Sequence, residues 1–71
     1  MDYTVRIANR NPSWYTMRNC KELSVIRHAK RDADMIGSTE FTIMCGDRKS
    51  DVLFGRWKRI NGIWKKYPFG L

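Results

Sequence analysis

The sequence predicts an α+β fold of order βαβββ, in which a small, mainly antiparallel sheet of three or four strands packs on one helix. Three features predict it: residues 3–8 alternate with the period of a strand, residues 20–36 repeat with the period of a helix, and Asn61-Gly62 marks a hairpin. A sheet and a helix that each have one apolar face bury those faces against each other. We therefore expect one small domain over residues 1–71.

Residues 3–8 read YTVRIA, and this alternation predicts strand one with its first, third and fifth side chains facing the core. Residues 9–13, NRNPS, predict a turn. Residues 13–18, SWYTMR, fit a loop that packs Trp14 on the core, a short extra strand or the opening turn of a helix. A right-handed crossover through the helix would place strand one parallel to a neighbouring strand.

The helix is predicted over residues 20–36. Asn19 followed by Glu22 has the spacing of a capping box, and Gly37 is the residue type that closes a helix with a positive φ. The apolar stripe consists of Leu23, Val25, Ile26, Ala29, Ala33 and Ile36. We expect the solvent side of the helix to be basic in its middle.

Strand two is predicted over residues 39–45, TEFTIMC, and residues 46–51, GDRKSD, predict a hairpin loop before strand three begins near Val52. Strands three and four then flank Asn61-Gly62, the residue pair typical of a two-residue type I′ turn. The predicted core comprises Tyr3, Val5, Ile7, Leu23, Ile26, Ala29, Ala33, Ile36, Phe41, Ile43, Leu53, Trp57 and Trp64.

A two-residue turn fixes the register of this C-terminal hairpin. It pairs Ile60 with Ile63 and, further from the turn, Lys58 with Lys65. One face then carries Leu53, Trp57, Arg59, Trp64 and Lys66, and the other carries Phe54, Arg56, Lys58, Ile60, Ile63, Lys65 and Tyr67. Because two lysines directly opposite each other are costly to bury, the tryptophan face is predicted to meet the helix.

Composition narrows the class of function. The chain has 42% hydrophobic residues, which excludes the disordered class, and fourteen Lys and Arg against seven Asp and Glu give a formal charge of +7. A charge of this size on so short a chain indicates a polyanionic partner, DNA or RNA, with an acidic protein surface as the alternative. No cofactor is predicted, and neither is a membrane partner, because no 18 apolar residues occur together.

Catalysis and metal binding are not expected. Cys20 and Cys45 lack the paired spacing of a zinc site, and His28 is the single histidine, with no partner types at catalytic spacing. The sequence near residue 1 has no apolar run of signal-peptide length, so we expect a cytoplasmic protein with reduced thiols. His28 is predicted to lie on the rim of the helix.

The outer face of the C-terminal hairpin is the predicted binding surface, because it combines cations that attract phosphates with rings that stack on bases. Phe54 is a further stacking candidate. The predicted nucleic-acid-binding residues are Arg48, Lys49, Arg56, Lys58, Lys65 and Tyr67. Small basic factors of this kind are common in phages and mobile elements, and an interaction module or inhibitor that binds an acidic protein surface would use the same cations.

Overall fold

A computed structural model describes residues 1–47 and 52–67 of the chain. Five strands and one helix follow one another along it. They are β1 (Tyr3–Ile7), β2 (Trp14–Met17), α1 (Glu22–Met35), β3 (Glu40–Cys45), β4 (Val52–Ile60) and β5 (Ile63–Tyr67). The α+β class with a single helix is confirmed, whereas the expected three or four strands become five because the ambiguous segment after Pro12 forms β2.

All five strands form one antiparallel sheet with the order β2-β1-β3-β4-β5. The expectation that strand one runs parallel to a neighbour is wrong. Since β2 turns back on β1 before the helix begins, the helix connects β2 to β3, and these two parallel strands lie on either side of β1. The first strand of the chain therefore occupies the interior of the sheet.

The helix covers one face of the sheet. Its buried line consists of Val25, Ala29 and Ala33, and two of these three side chains are small, so the helix axis can lie close to β1 and β3. The buried core is completed by Tyr3, Val5, Ile7, Phe41, Ile43 and Trp57, with Ile26 and Trp64 partly buried against it.

Leu23 and Ile36 do not belong to this core, contrary to the sequence prediction. Leu23 is 69% exposed because two residues at 3.6 per turn place it about 200° around the helix from Val25. Ile36 is 45% exposed because it is the C-cap residue, one position beyond the last helical turn. The predicted core correctly included Ala29 and Ala33, but it contained Leu23 and Ile36 and left out Val25.

The two ends of the helix differ in how well the sequence predicted them. At the start, Lys21 occupies the N-cap without a side-chain hydrogen bond, and the backbone N–H of Asn19 donates to Oδ1 of Asp2 at 3.0 Å, so the predicted capping box does not form. At the end, Gly37 has φ 73° and donates to the Asp34 carbonyl, while Ser38 donates to the Ala33 carbonyl. This pair of bonds is a Schellman motif, as Gly37 predicted.

The hairpin of β4 and β5 has the predicted register throughout, from Ile60 opposite Ile63 to Arg56 opposite Tyr67. Asn61 has φ 54° and Gly62 has φ 81°, as a type I′ turn requires. The described part of the chain contains no helix long and apolar enough to cross a lipid bilayer.

Strand β4 contains a register shift opposite Ile43 and Met44, so Leu53 pairs with Met44 and Gly55 pairs with Ile43. This bulge adds a residue to β4 and reverses the alternation before it. Leu53, predicted to be core, is instead 46% exposed on the face away from the helix. Phe54, predicted to face outward, instead contacts Tyr3 and Trp57 on the helix side.

Candidate nucleic-acid interface

One face of the sheet carries no described helix or strand. We call it the open face, because α1 packs on the opposite side and all five strands lie in one layer. By register and alternation, it is formed by Thr4, Arg6, Trp14, Thr16, Glu40, Thr42, Met44, Leu53, Arg56, Lys58, Ile60, Ile63, Lys65 and Tyr67. Among these residues there are four cations and one acid.

A single line of directly opposed residues crosses all five strands of the open face. We call it the cross-strand row; in strand order it consists of Trp14, Arg6, Thr42, Arg56 and Tyr67. Residues opposite each other on antiparallel strands project from the same face. The row therefore places an aromatic ring on each outer strand and an arginine on each strand next to it.

The predicted hairpin residues within the described chain come together on the open face. Lys58 lies opposite Lys65, and Arg56 lies opposite Tyr67. The Lys58 ammonium is 5.0 Å from the centre of the Tyr67 ring, a cation–π distance, and Tyr67 is 37% exposed. Arg48 and Lys49, also predicted to bind nucleic acid, lie outside the described residues.

Three described carboxylates form ion pairs away from the open face. Asp2 pairs with Arg18 at 3.5 Å, Asp32 pairs with Arg10 at 3.5 Å and Asp34 pairs with Arg59 at 2.6 Å. Within residues 1–47 and 52–67, no carboxylate lies within ion-pair distance of the four open-face cations, Arg6, Arg56, Lys58 and Lys65. Glu40 lies directly opposite Lys58 in the sheet register, so Lys58 has an acidic neighbour, although the two form no ion pair.

An aromatic cluster behind the hairpin holds the open face in place from the helix side. The rings of Phe41 and Trp57 stack with centroids 5.1 Å apart at 11°, and Trp64 packs on Phe41 at 4.9 Å. Trp57 is 4% exposed. Since successive side chains of β4 point to opposite faces, burial of Trp57 forces Arg56 and Lys58 outward.

Two cations, Arg59 and Lys66, share the helix side with these rings, as the sequence predicted. The Arg59 guanidinium pairs with Asp34 and lies 5.6 Å from the Trp64 ring. The Lys66 ammonium lies 4.8 Å from the Phe54 ring and 5.6 Å from the Trp57 ring. Both charges are held by local partners, so they belong to the scaffold and not to the open face.

A second polar cluster lies where β2 meets α1. The Tyr15 hydroxyl is 3.0 Å from Nδ1 of His28, and the Arg10 guanidinium lies 4.7 Å from the Tyr15 ring. Burial and the neighbouring Asp32 carboxylate, which also hydrogen-bonds this hydroxyl, raise the pKa of Tyr15 well above its usual range. His28 is exposed, as predicted, but no sequence pattern indicated its pairing with Tyr15.

No described group of three or more His, Cys, Asp and Glu side chains is placed to bind a metal ion. Cys20 and Cys45 are free and half-buried, and both pack against the edge of the core.

No protein-family model, curated protein or solved structure matches this chain. The open face must therefore be assessed on its own geometry. Sequence reasoning missed Arg6 and Trp14 as parts of it. Arg6 carried a usable signal, because it lies between the buried Val5 and Ile7 and so had to point away from the core.

Proposed function

We propose that this chain binds DNA or RNA through its open face, as a small accessory or regulatory factor without catalytic activity. The observation that supports it best is that the sheet face opposite the helix carries Arg6, Arg56, Lys58 and Lys65 without ion-paired carboxylates among the described residues, together with aromatic rings. Cations of this kind neutralise phosphates, and rings offer stacking surfaces for bases.

Solubility alone is a weaker explanation of this surface. Lysines on a small sheet do discourage edge pairing and keep the protein in solution. Cations anywhere on the sheet would have these two effects. Neither effect requires that the cations be aligned with aromatic rings. The row of Trp14, Arg6, Thr42, Arg56 and Tyr67 combines the two residue classes in one register, which favours a ligand that has both charge and flat rings.

The first prediction concerns the lysine pair. In the double variant Lys58→Glu with Lys65→Glu, affinity for a fluorescently labelled oligonucleotide at low salt should fall at least ten-fold, since two phosphate contacts become repulsive. Fluorescence anisotropy measures the affinity. The variant should stay folded by circular dichroism because Lys65 is exposed and Lys58 is only half-buried.

The matched control reverses two exposed charges on the helix, Arg27→Glu with Arg31→Glu, and changes the net charge by the same amount. It should retain most of the affinity. If both double variants weaken binding equally, bulk charge is responsible and the open face has no special role. If the wild-type protein forms no complex with pooled DNA or RNA at low salt, the proposal fails and an acidic protein surface becomes the better partner.

The salt dependence of the oligonucleotide affinity provides a second test of phosphate recognition. With about four phosphate contacts, the logarithm of the affinity for a single strand should fall with the logarithm of salt at a slope of roughly −3. Removing two contacts should make that slope shallower by about 1.4. A slope near zero for the wild-type protein would contradict phosphate recognition.

A further inference from the structure

The cross-strand row has a length and a composition that select among nucleic acids. Resting on the proposed function, we infer that the ligand of the open face is a single-stranded nucleic acid that runs across the strands, with one base on Trp14 and another on Tyr67. The backbone between these two bases passes Arg6 and Arg56. The site thus extends from the C-terminal hairpin to β1 and β2.

The spacing of the row follows from the sheet. Trp14 is on β2 and Tyr67 is on β5, the two outermost strands, so four interstrand steps of about 4.8 Å separate them by roughly 19 Å. Arg6 and Arg56 each lie one strand inside these ends, and Thr42 lies at the centre. A ligand that reaches both rings must pass both guanidinium groups.

A duplex does not fit this row. The open face is roughly 19 Å across its five strands, which is wider than the major groove of B-form DNA, and that groove, about 12 Å wide, admits only a helix or a two-stranded ribbon. The rings also need exposed base faces, and paired bases stacked within a helix present only their edges. A single strand offers base faces and a phosphate chain together, which matches rings at the ends and arginines between them.

The row also sets a minimum length for the ligand. At about 3.4 Å per step between stacked bases, roughly 19 Å spans five or six steps, which join about six or seven nucleotides, and fewer when the strand is extended. Site sizes of single-strand-binding domains begin at about four nucleotides. Affinity should therefore rise with oligonucleotide length up to about six nucleotides and change little beyond it.

The test compares a single-stranded oligothymidylate, the corresponding oligouridylate and an oligothymidylate–oligoadenylate duplex at one salt concentration. Either single strand should bind at least ten-fold tighter than the duplex. Trp14→Leu should weaken single-strand binding roughly ten-fold, because a base–ring stack is lost, whereas Trp14→Phe should retain it. Arg6→Gln provides a second variant on an exposed side chain, should Trp14→Leu prove unfolded by circular dichroism.

The outcomes separate this inference from the proposed function. Duplex binding equal to or tighter than single-strand binding would overturn the inference while nucleic-acid binding stands, and so would equal affinities of Trp14→Leu and Trp14→Phe when both are folded. In that case the hairpin of β4 and β5 would act alone. An absence of binding to all three probes would overturn the proposed function, and the inference with it.

Discussion

At the scale of single residues, Gly55 has the most demanding position. It lies beneath the Trp57 indole, and an added Cβ would come within 2.8 Å of Cη2 and Cζ3 of that ring and of Cε of Lys66. The lysine can move, but the ring is buried and stacked on Phe41. The absence of a side chain at Gly55 therefore allows the indole to lie flat on β4.

Gly55→Ala should lower the free energy of unfolding by about 1 to 3 kcal/mol, because the Trp57 ring must leave its stacked position. Urea denaturation measures this change. The same substitution in a Trp57→Phe background should cost less, since phenylalanine lacks the two ring atoms that clash. Equal costs in the two backgrounds would show that the indole is not the cause.

A second prediction for single residues concerns the raised pKa of Tyr15. Burial, followed by the Asp32 carboxylate, raises the folded-state pKa of Tyr15 above the ordinary value of 10.0, and burial also raises the pKa of Tyr3. Above pH 10 the unfolded chain loses these protons while the folded protein retains them. The stabilisation is therefore complete below pH 10 and is lost as the pH rises above it.

The free energy of unfolding should thus fall as the pH rises above about 10, and the decrease should be smaller in Tyr15→Phe. Urea denaturation across this range, with tyrosinate absorbance to follow ionisation, measures both. If wild type and Tyr15→Phe lose stability in parallel, Tyr15 does not carry the effect. Ionisation of lysines is common to both proteins, so it cancels in this comparison.

At the scale of elements, the contact between the end of α1 and the hairpin decides how the open face is held. Oδ1 of Asp34 accepts hydrogen bonds from Arg59 at 2.6 Å and from the Trp64 indole at 3.1 Å. An acid in the last helical turn opposes the helix dipole. The two bonds explain its position, because they join the helix to β4 and β5.

Asp34→Ala separates these two effects by sign. If the dipole dominated, the substitution would stabilise the protein by a few tenths of a kcal/mol. We expect instead that the free energy of unfolding falls by about 1 kcal/mol. This figure is modest because the Asp34 carboxylate is half exposed. Asp34→Asn should fall between Asp34→Ala and the wild type, since its amide oxygen can still accept from Trp64. Thermal or urea denaturation distinguishes the three proteins.

At the scale of the whole molecule, the sequence predicted what depends on short-range chemistry. Asn61-Gly62 determined five residue pairs of the hairpin, and Gly37 determined the helix end. The bulge at Phe54 was missed because it arises from pairing with β3 and packing on Tyr3, both distant in sequence. Such tertiary effects leave no local pattern to read.

The open face shows the same division between local and long-range effects. The turn at Asn61-Gly62 predicts the register of the C-terminal hairpin. The sequence therefore correctly placed the hairpin part of the open face on one side of the sheet, namely Arg56, Lys58, Lys65 and Tyr67. The other half depends on β2 being a strand and on its place at the sheet edge. A four-residue segment has too little alternation to show either. The sequence alone therefore could not show that Trp14 and Tyr67 lie in one row, because that conclusion requires the strand order.

The interior position of β1 has a kinetic consequence. Strands β1 and β2 can pair locally, as can β3, β4 and β5, but the two groups pair with each other through the long-range ladder that joins Tyr3 to Cys45 and Ile7 to Phe41. Closing so long a loop is slow compared with forming a hairpin. We therefore expect zipping of this ladder to limit the folding rate, so that the surface spanning all five strands is assembled last.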